Sequence, residues 1–224
     1  MRFGNTRASF EKAIEVGAPM LELDVRRLAD GTLVVHHDAD LGHRPLRELD
    51  WPVFHEATRL LGYEGLRLDE ALELCAGRIR VDVELKEPGT EVDVARIVRD
   101  RLVPEQAILK SFWDPVVANL RGLLPAYPVG LLLGSDAPLH RMDRHLPHLF
   151  PERRLRRLRP DFVSPGWQWM KFGFLRRMRA LGYPVLVWTV NDPAMMRDLL
   201  AAGAAGIITD RPDLGLAILG GGGL

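Results

Sequence analysis

Cysteine is almost absent from this chain. The single thiol, Cys75, excludes an intramolecular disulfide, and its place in the apolar run Leu72-Glu73-Leu74-Cys75-Ala76 marks it as a core residue. Lysine is scarce as well: only positions 12, 86, 110 and 171 supply it among 30 basic residues, a bias from which no function is read. Net charge is missing too, since 30 basic residues meet 30 acidic ones, so there is no global argument for a nucleic-acid partner or an acidic membrane. No apolar run reaches the ~18 residues of a membrane span. No signal peptide is visible, which points to a cytoplasmic setting. What remains is an ordinary globular composition, 47% hydrophobic, in a 224-residue chain that suits one domain over 1–224, a single α/β barrel included.

The stretch Met20 to Asp38, MLELDVRRLADGTLVVHHD, organises the rest. It begins as a strand in which Glu22 and Asp24, two residues apart, share a face because side chains alternate. Leu21, Leu23 and Val25 share the other, apolar face. Asp30-Gly31 is a hairpin signal, and a turn centred between them brings His37 opposite Asp24. A one-residue bulge makes His37 a neighbour instead. Two acids and an imidazole then converge at one end of one hairpin, an arrangement suited to a metal and a base. An isolated E-x-D pair is more often two surface acids; here a later strand adds more carboxylates.

In chain order, Asn5-Thr6 starts a helix that ends at Gly17, and residues 40–65 read as irregular, with Pro45 and Pro52. Asp69 is the expected N-cap of the next helix. In the strand Arg80 to Leu85, Asp82, Glu84 and then Lys86 face one way, while Val81, Val83 and Leu85 face the other. Helices follow at 91–102, 114–124, an arginine-rich 139–159 broken near Pro147 and Pro151, 171–181 and 194–202. They alternate with strands at 107–112, 129–133, 161–164, 185–190 and 206–209. This alternation predicts a parallel sheet with crossover helices. Counting 20–25 and 80–86 gives seven parallel strands, because 33–38 returns too soon for a crossover. A closed (β/α)8 barrel needs one more, and the helix at 5–16 has no strand before it.

Several motifs, in order and spacing, resemble the glycerophosphodiester phosphodiesterase family over almost the whole chain. They are N-T-R-A-S-F-E-K-A-I-E-V-G-A (5–18), E-L-D-V (22–25), D-G-T-L-V-V-H-H-D (30–38), V-E-L-K (83–86), S-F (111–112), W-T-V-N (188–191) and T-D-R-P (209–212). The family's opening His-Arg-Gly strand has no counterpart, and the chain reads Met1-Arg2-Phe3 and then Gly4-Asn5-Thr6. The strand count finds the same gap, which is read as a mis-called or shortened start.

The resemblance implies a TIM-type (β/α)8 barrel with its first strand missing from this chain. It implies cleavage of glycerophosphodiesters to glycerol 3-phosphate and an alcohol, with water or the substrate's own glycerol hydroxyl as nucleophile. Glu22, Asp24 and Glu84 are then the metal ligands, an all-oxygen set suited to Mg²⁺ or Ca²⁺. Lys86 holds a phosphate oxygen, Trp188 lines the pocket, and His37 is the acid–base group. The family uses two histidines, so weakened catalysis is expected, with a loss of order 10²–10⁴ for a missing acid–base group. His36 should point away from the mouth, and His43 is a remote substitute. Lysolipids enter as a further substrate class, for which Trp167-Gln168-Trp169 could form an apolar lip, although local packing explains those residues as well. The arginines from Arg153 to Arg159 read as a solvated helix face. Two other readings stand beside this one: an inactive barrel that only binds metal and phosphate, and a barrel enzyme using Lys86 as a Schiff-base amine.

Overall fold

The computed structural model describes residues 4–134 and 142–220. Met1–Phe3, the expected beginning of the arginine-rich helix at 139–141 and most of the glycine tail (221–223) lie outside them. In chain order the elements are α1 (Arg7–Glu15), β1 (Met20–Arg27), β2 (Leu33–Val35), the short pair β3 (Asp40–Leu41) and β4 (Arg44–Pro45), α2 (Trp51–Leu60) and α3 (Leu68–Cys75). There follow β5 (Arg80–Leu85), α4 (Glu91–Arg101), β6 (Ala107–Ser111), α5 (Asp114–Leu123), β7 (Val129–Leu133), α6 (Met142–Leu149) and α7 (Glu152–Leu158). The last are β8 (Phe162–Pro165), α8 (Phe174–Ala180), β9 (Leu186–Val187), α9 (Pro193–Ala201), β10 (Gly206–Ile207) and α10 (Pro212–Gly220).

The strands lie side by side in the order β2-β1-β5-β6-β7-β8, and β9 pairs with β10. Parallel bridges from Val163 to Val185 and from Gly166 to Trp188 carry the sheet from β8 to β9. Seven parallel strands therefore succeed one another in chain order with helices between them, a (β/α) barrel. Among the described residues no eighth parallel strand stands between β10 and β1. Strands β6 and β7 are buried at every position, as strands covered on both faces must be. One contact fixes a residue by size: a Cβ on Gly130 would lie 2.2 Å from the Phe162 ring.

The hairpin takes the second of its two expected registers, in which His37 is a neighbour rather than the partner of Asp24. β1 pairs Val25 with Val35 and Arg27 with Leu33, so His36 rather than His37 stands across from Asp24, and the His36 N–H donates to the Asp24 carbonyl at 3.0 Å. The turn is the cause. Leu28 and Thr32 close a three-residue loop, Ala29-Asp30-Gly31, with Gly31 left-handed at φ 87°, instead of the two-residue Asp-Gly turn. One extra loop residue shifts the pairing by one position.

The 40–65 segment is more regular than expected. Asp50 caps α2 by accepting from the Val53 N–H at 3.2 Å, and Pro52 falls in the first turn, where a proline suits a helix rather than breaking it. Helix α3 begins ahead of Asp69, with the Glu70 carboxylate accepting from the Arg67 N–H at 3.0 Å. Under α2 lies a satellite core of Leu28, Val34, Leu41, Leu46, Leu49 and Phe54. Among the described residues no helix is long and apolar enough to cross a membrane.

Candidate active site

The parallel register of β1 and β5 pairs Glu22 with Asp82 and Asp24 with Glu84, and that of β5 and β6 pairs Glu84 with Lys110. Register partners in a sheet project to the same face, so these charged side chains all enter the barrel interior. Glu22, Asp24 and Glu84 each offer a carboxylate oxygen, and the three oxygens lie within 4.8 Å of one another.

Two ammonium groups sit among the acids. Lys110, 1% exposed, donates to Asp82 Oδ2 at 2.7 Å and lies 3.2 Å from Glu22 Oε1. Lys86 Nζ lies 2.9 Å from Asp24 Oδ1 and 2.8 Å from Glu84 Oε1. The Lys86 contacts are ion pairs by distance, yet Asp24 Oδ1 and Glu84 Oε1 accept no hydrogen bond of good geometry, and neither does the buried Asp82 Oδ1. Four carboxylates against two ammoniums leave two negative charges when all are ionised. Excess charge, unfilled oxygen lone pairs and an all-oxygen donor set fit a hard divalent cation.

The excess also shows in the titration behaviour. Glu22 is pushed up to about 8, mainly by removal from water; Lys110 opposes this, and the charges of Asp24, Asp82 and Glu84 add to it. Burial likewise raises Asp82 against the pull of Lys110, and Glu84 against the pull of Lys86. Burial works against the Lys110 ammonium, but Asp82, Glu22 and Glu84 outweigh it and hold the group above the usual lysine range. Asp24 and Glu84 do the same for Lys86, which stays protonated and so lacks the free amine that Schiff-base chemistry needs.

Asn5 was not among the expected site residues. Its Nδ2 donates to Asp24 Oδ2 at 2.7 Å, and its Oδ1 accepts the Asp24 N–H at 3.1 Å. Lys110 also escaped the sequence reading, although a lysine inside the otherwise apolar run Ala-Ile-Leu-Lys was a usable signal.

The remaining expected residues stand at the rim. His37 is two-thirds exposed, with Nδ1 2.8 Å from Asp38 Oδ1, while Arg26 Nε donates to the His37 carbonyl at 2.8 Å. His36 turns the other way, edge-on to Phe54 at 5.8 Å. His43 is exposed in the β3–β4 turn with φ 73°. Trp188 is half-buried; its Nε1 donates to the Ser164 carbonyl at 2.7 Å, and its ring meets Phe112 edge-on at 5.7 Å. Among the described residues neither His37 nor Trp188 bonds to the carboxylates. A surface depression of about 440 Å³ lined by His55, Arg59, Gly62, Tyr63 and Glu64 includes none of these groups.

Known proteins share this arrangement of strands. A solved structure described as a putative glycerophosphoryl diester phosphodiesterase from Silicibacter pomeroyi superposes with a TM-score of 0.80 at 25% identity, covering 98% of this chain and 89% of the other. A phosphodiesterase from Oleispira antarctica, solved with the product sn-glycerol-3-phosphate, shares the fold at TM-score 0.81 and 19% identity, covering 96% and 91%. The glycerophosphodiester phosphodiesterase of Caldanaerobacter subterraneus is 28% identical over 93% of this chain and 89% of its own. The profile of the glycerophosphoryl diester phosphodiesterase family matches residues 2–49 and 78–214, on both sides of the segment that holds α2 and α3 and through every barrel strand. With the paired acids of β1 and β5 inside that match, the chain belongs to the glycerophosphoryl diester phosphodiesterase family.

Proposed function

We propose that this protein hydrolyses glycerophosphodiesters to glycerol 3-phosphate and an alcohol, with Glu22, Asp24 and Glu84 holding a divalent cation. The observation that carries this reading is the gathering of those three carboxylates within 4.8 Å inside the barrel. Mg²⁺ and Ca²⁺ are the ions such an oxygen set prefers. A bound cation would polarise the phosphoryl group and offset its charge.

The chain's own groups do the rest. Lys86, already poised between Asp24 and Glu84, can turn its ammonium to donate to a non-bridging phosphate oxygen as a point charge. In the tautomer that donates its Nδ1 proton to Asp38, His37 keeps Nε2 free to take a proton from the attacking water or glycerol hydroxyl. The leaving alkoxide, on the far side of the phosphorus, takes its proton from water as the P–O bond breaks. Where the glycerol hydroxyl attacked, water then opens the cyclic phosphodiester to glycerol 3-phosphate. Trp188, fixed by Ser164 and Phe112, forms a rigid wall for the non-reacting part of the substrate. Lysolipids carry the same phosphodiester with one acyl chain and fall within the proposed class. The retained acids and family membership favour hydrolysis over an inactive barrel that only binds.

The test is release of glycerol 3-phosphate from glycerophosphocholine and glycerophosphoethanolamine with Mg²⁺ or Ca²⁺. Glu84→Gln should abolish both turnover and the thermal stabilisation conferred by the ion. His37→Ala should keep the stabilisation while losing about 10²–10⁴ in turnover. Turnover that survives chelation, or a Glu84→Gln variant indistinguishable from the parent, refutes the reading.

A further inference from the structure

We propose that the loops following β7 and β8, at the barrel mouth, dock on an anionic lipid bilayer. Four large apolar side chains there face solvent: Leu146 (46% exposed), Phe150 (48%), Trp167 (41%) and Phe172 (67%). They are held in place rather than loosely displayed. The Phe150 and Phe172 rings stack at 6.0 Å, and the Arg177 guanidinium lies 4.7 Å from the Phe150 ring centre. Arg177 also donates to the Leu149 and Phe172 carbonyls and to Glu152, which ties the two loops together.

Phe172 adopts φ 53°, a left-handed conformation that a bulky residue rarely takes, and Gly173 follows at φ 63°. The backbone is thus strained in a way that leaves the Phe172 ring, stacked on Phe150, still two-thirds exposed to water. A strained, ordered and exposed aromatic side chain is better explained by a contact made outside the chain.

Charge identifies the partner. The whole chain has no net charge, yet residues 146–177 hold eight basic side chains against two acidic ones, Glu152 and Asp161. Arg154 and Arg157 are engaged with Asp114, and Arg177 with Glu152. Exposed Arg153, Lys171 and Arg176 make no ion pair among the described residues. Aromatic rings beside unpaired cations match the interfacial zone of a bilayer, where rings sit at headgroup depth and cations meet lipid phosphates. A protein partner would explain the rings equally well, but would not call for so one-sided a charge. Docking in this pose brings the barrel mouth close to the lipid surface, and it does not depend on which phosphodiester is cleaved.

The experiment is flotation of the full chain with vesicles of equimolar phosphatidylglycerol and phosphatidylcholine, and with vesicles of phosphatidylcholine alone. The parent should float with the anionic vesicles and only weakly with the neutral ones. Phe150→Ser/Phe172→Ser should lower partitioning at least about tenfold, since two exposed rings are removed from the contact. Arg153→Gln/Lys171→Gln/Arg176→Gln should abolish the preference for anionic lipid. Release of glycerol 3-phosphate from soluble substrate should be unchanged in both, which shows that they fold. A parent that does not bind anionic vesicles, or a double-serine variant that binds as well as the parent, overturns the proposal. So does a parent that sediments as a dimer and becomes monomeric in the double-serine variant, because the face then covers a second copy.

Discussion

Replacing Lys110 by methionine removes the only cation in contact with Asp82 among the described residues while keeping most of the side-chain volume. In the parent, Lys110 Nζ sits 2.7 Å from Asp82 Oδ2 and 3.2 Å from Glu22 Oε1, and both Lys110 and Asp82 are almost fully buried. Breaking a buried pair from one side costs about 3–5 kcal/mol, because the surviving charge keeps its desolvation penalty without its partner. In a chain of this size that lowers Tm by roughly 6–20 °C. The loss should depend on pH with a definite sign. Asp82 and Glu22 already have raised values, and without the ammonium both move higher. Holding protons on these carboxylates costs the folded variant little at pH 5 and more as pH rises, so the loss is larger at pH 8. Urea unfolding at the two pH values measures the difference, and the double variant Lys110→Met/Asp82→Asn should recover much of the stability lost at pH 8. A Lys110→Met cost below about 1 kcal/mol at pH 8, or one larger at pH 5, would show that this pair does not balance the barrel's interior charge.

Two further outcomes follow from the same geometry. Because the folded value of Glu22 is raised from 4.5 to about 8, its contribution to stability is fully present below pH 4.5 and is lost as pH rises through 8. Asp82 and Glu84 shift in the same direction and reinforce the trend. The ion-free protein should therefore lose stability, by at most about 5 kcal/mol from Glu22, between pH 4.5 and 8. Added Mg²⁺ or Ca²⁺ should restore it most at the alkaline end; a flat profile in calorimetry would contradict this. Gly130→Ala places a methyl 2.2 Å from the Phe162 ring between β7 and β8, so it should cost about 1–3 kcal/mol in chemical denaturation, and a neutral result would mean that the ring can withdraw.

Much of this architecture could be read from residue order. The alternation of apolar strands with amphipathic helices gave the barrel, and the E-x-D of β1 with the acidic face of β5 gave the carboxylate cluster. What could not be read was set by local geometry one step finer. The Asp30-Gly31 signal fits both a two-residue turn and a three-residue loop with Gly31 left-handed, and only the second occurs, which moves His37 one place along. Residues 40–65, with Pro45 and Pro52, read as irregular, yet two residues after an Asp50 cap Pro52 helps to start a helix. Lys110 was overlooked because its importance comes from lying beside Glu84 in the neighbouring strand, a relation that appears only once the parallel register is known. Asn5 was invisible for a similar reason, since it reaches Asp24 through space from a loop.

That asparagine narrows what evolution can place at position 5. Its backbone is left-handed, φ 56°, a state that glycine, asparagine and aspartate tolerate among the twenty residues. Glycine has no amide to offer, and aspartate would set a second anion against Asp24 with no hydrogen to give. Only one side chain satisfies the conformation, the acceptor and the donor at once, so a single amide secures both the carboxylate and the backbone N–H of Asp24.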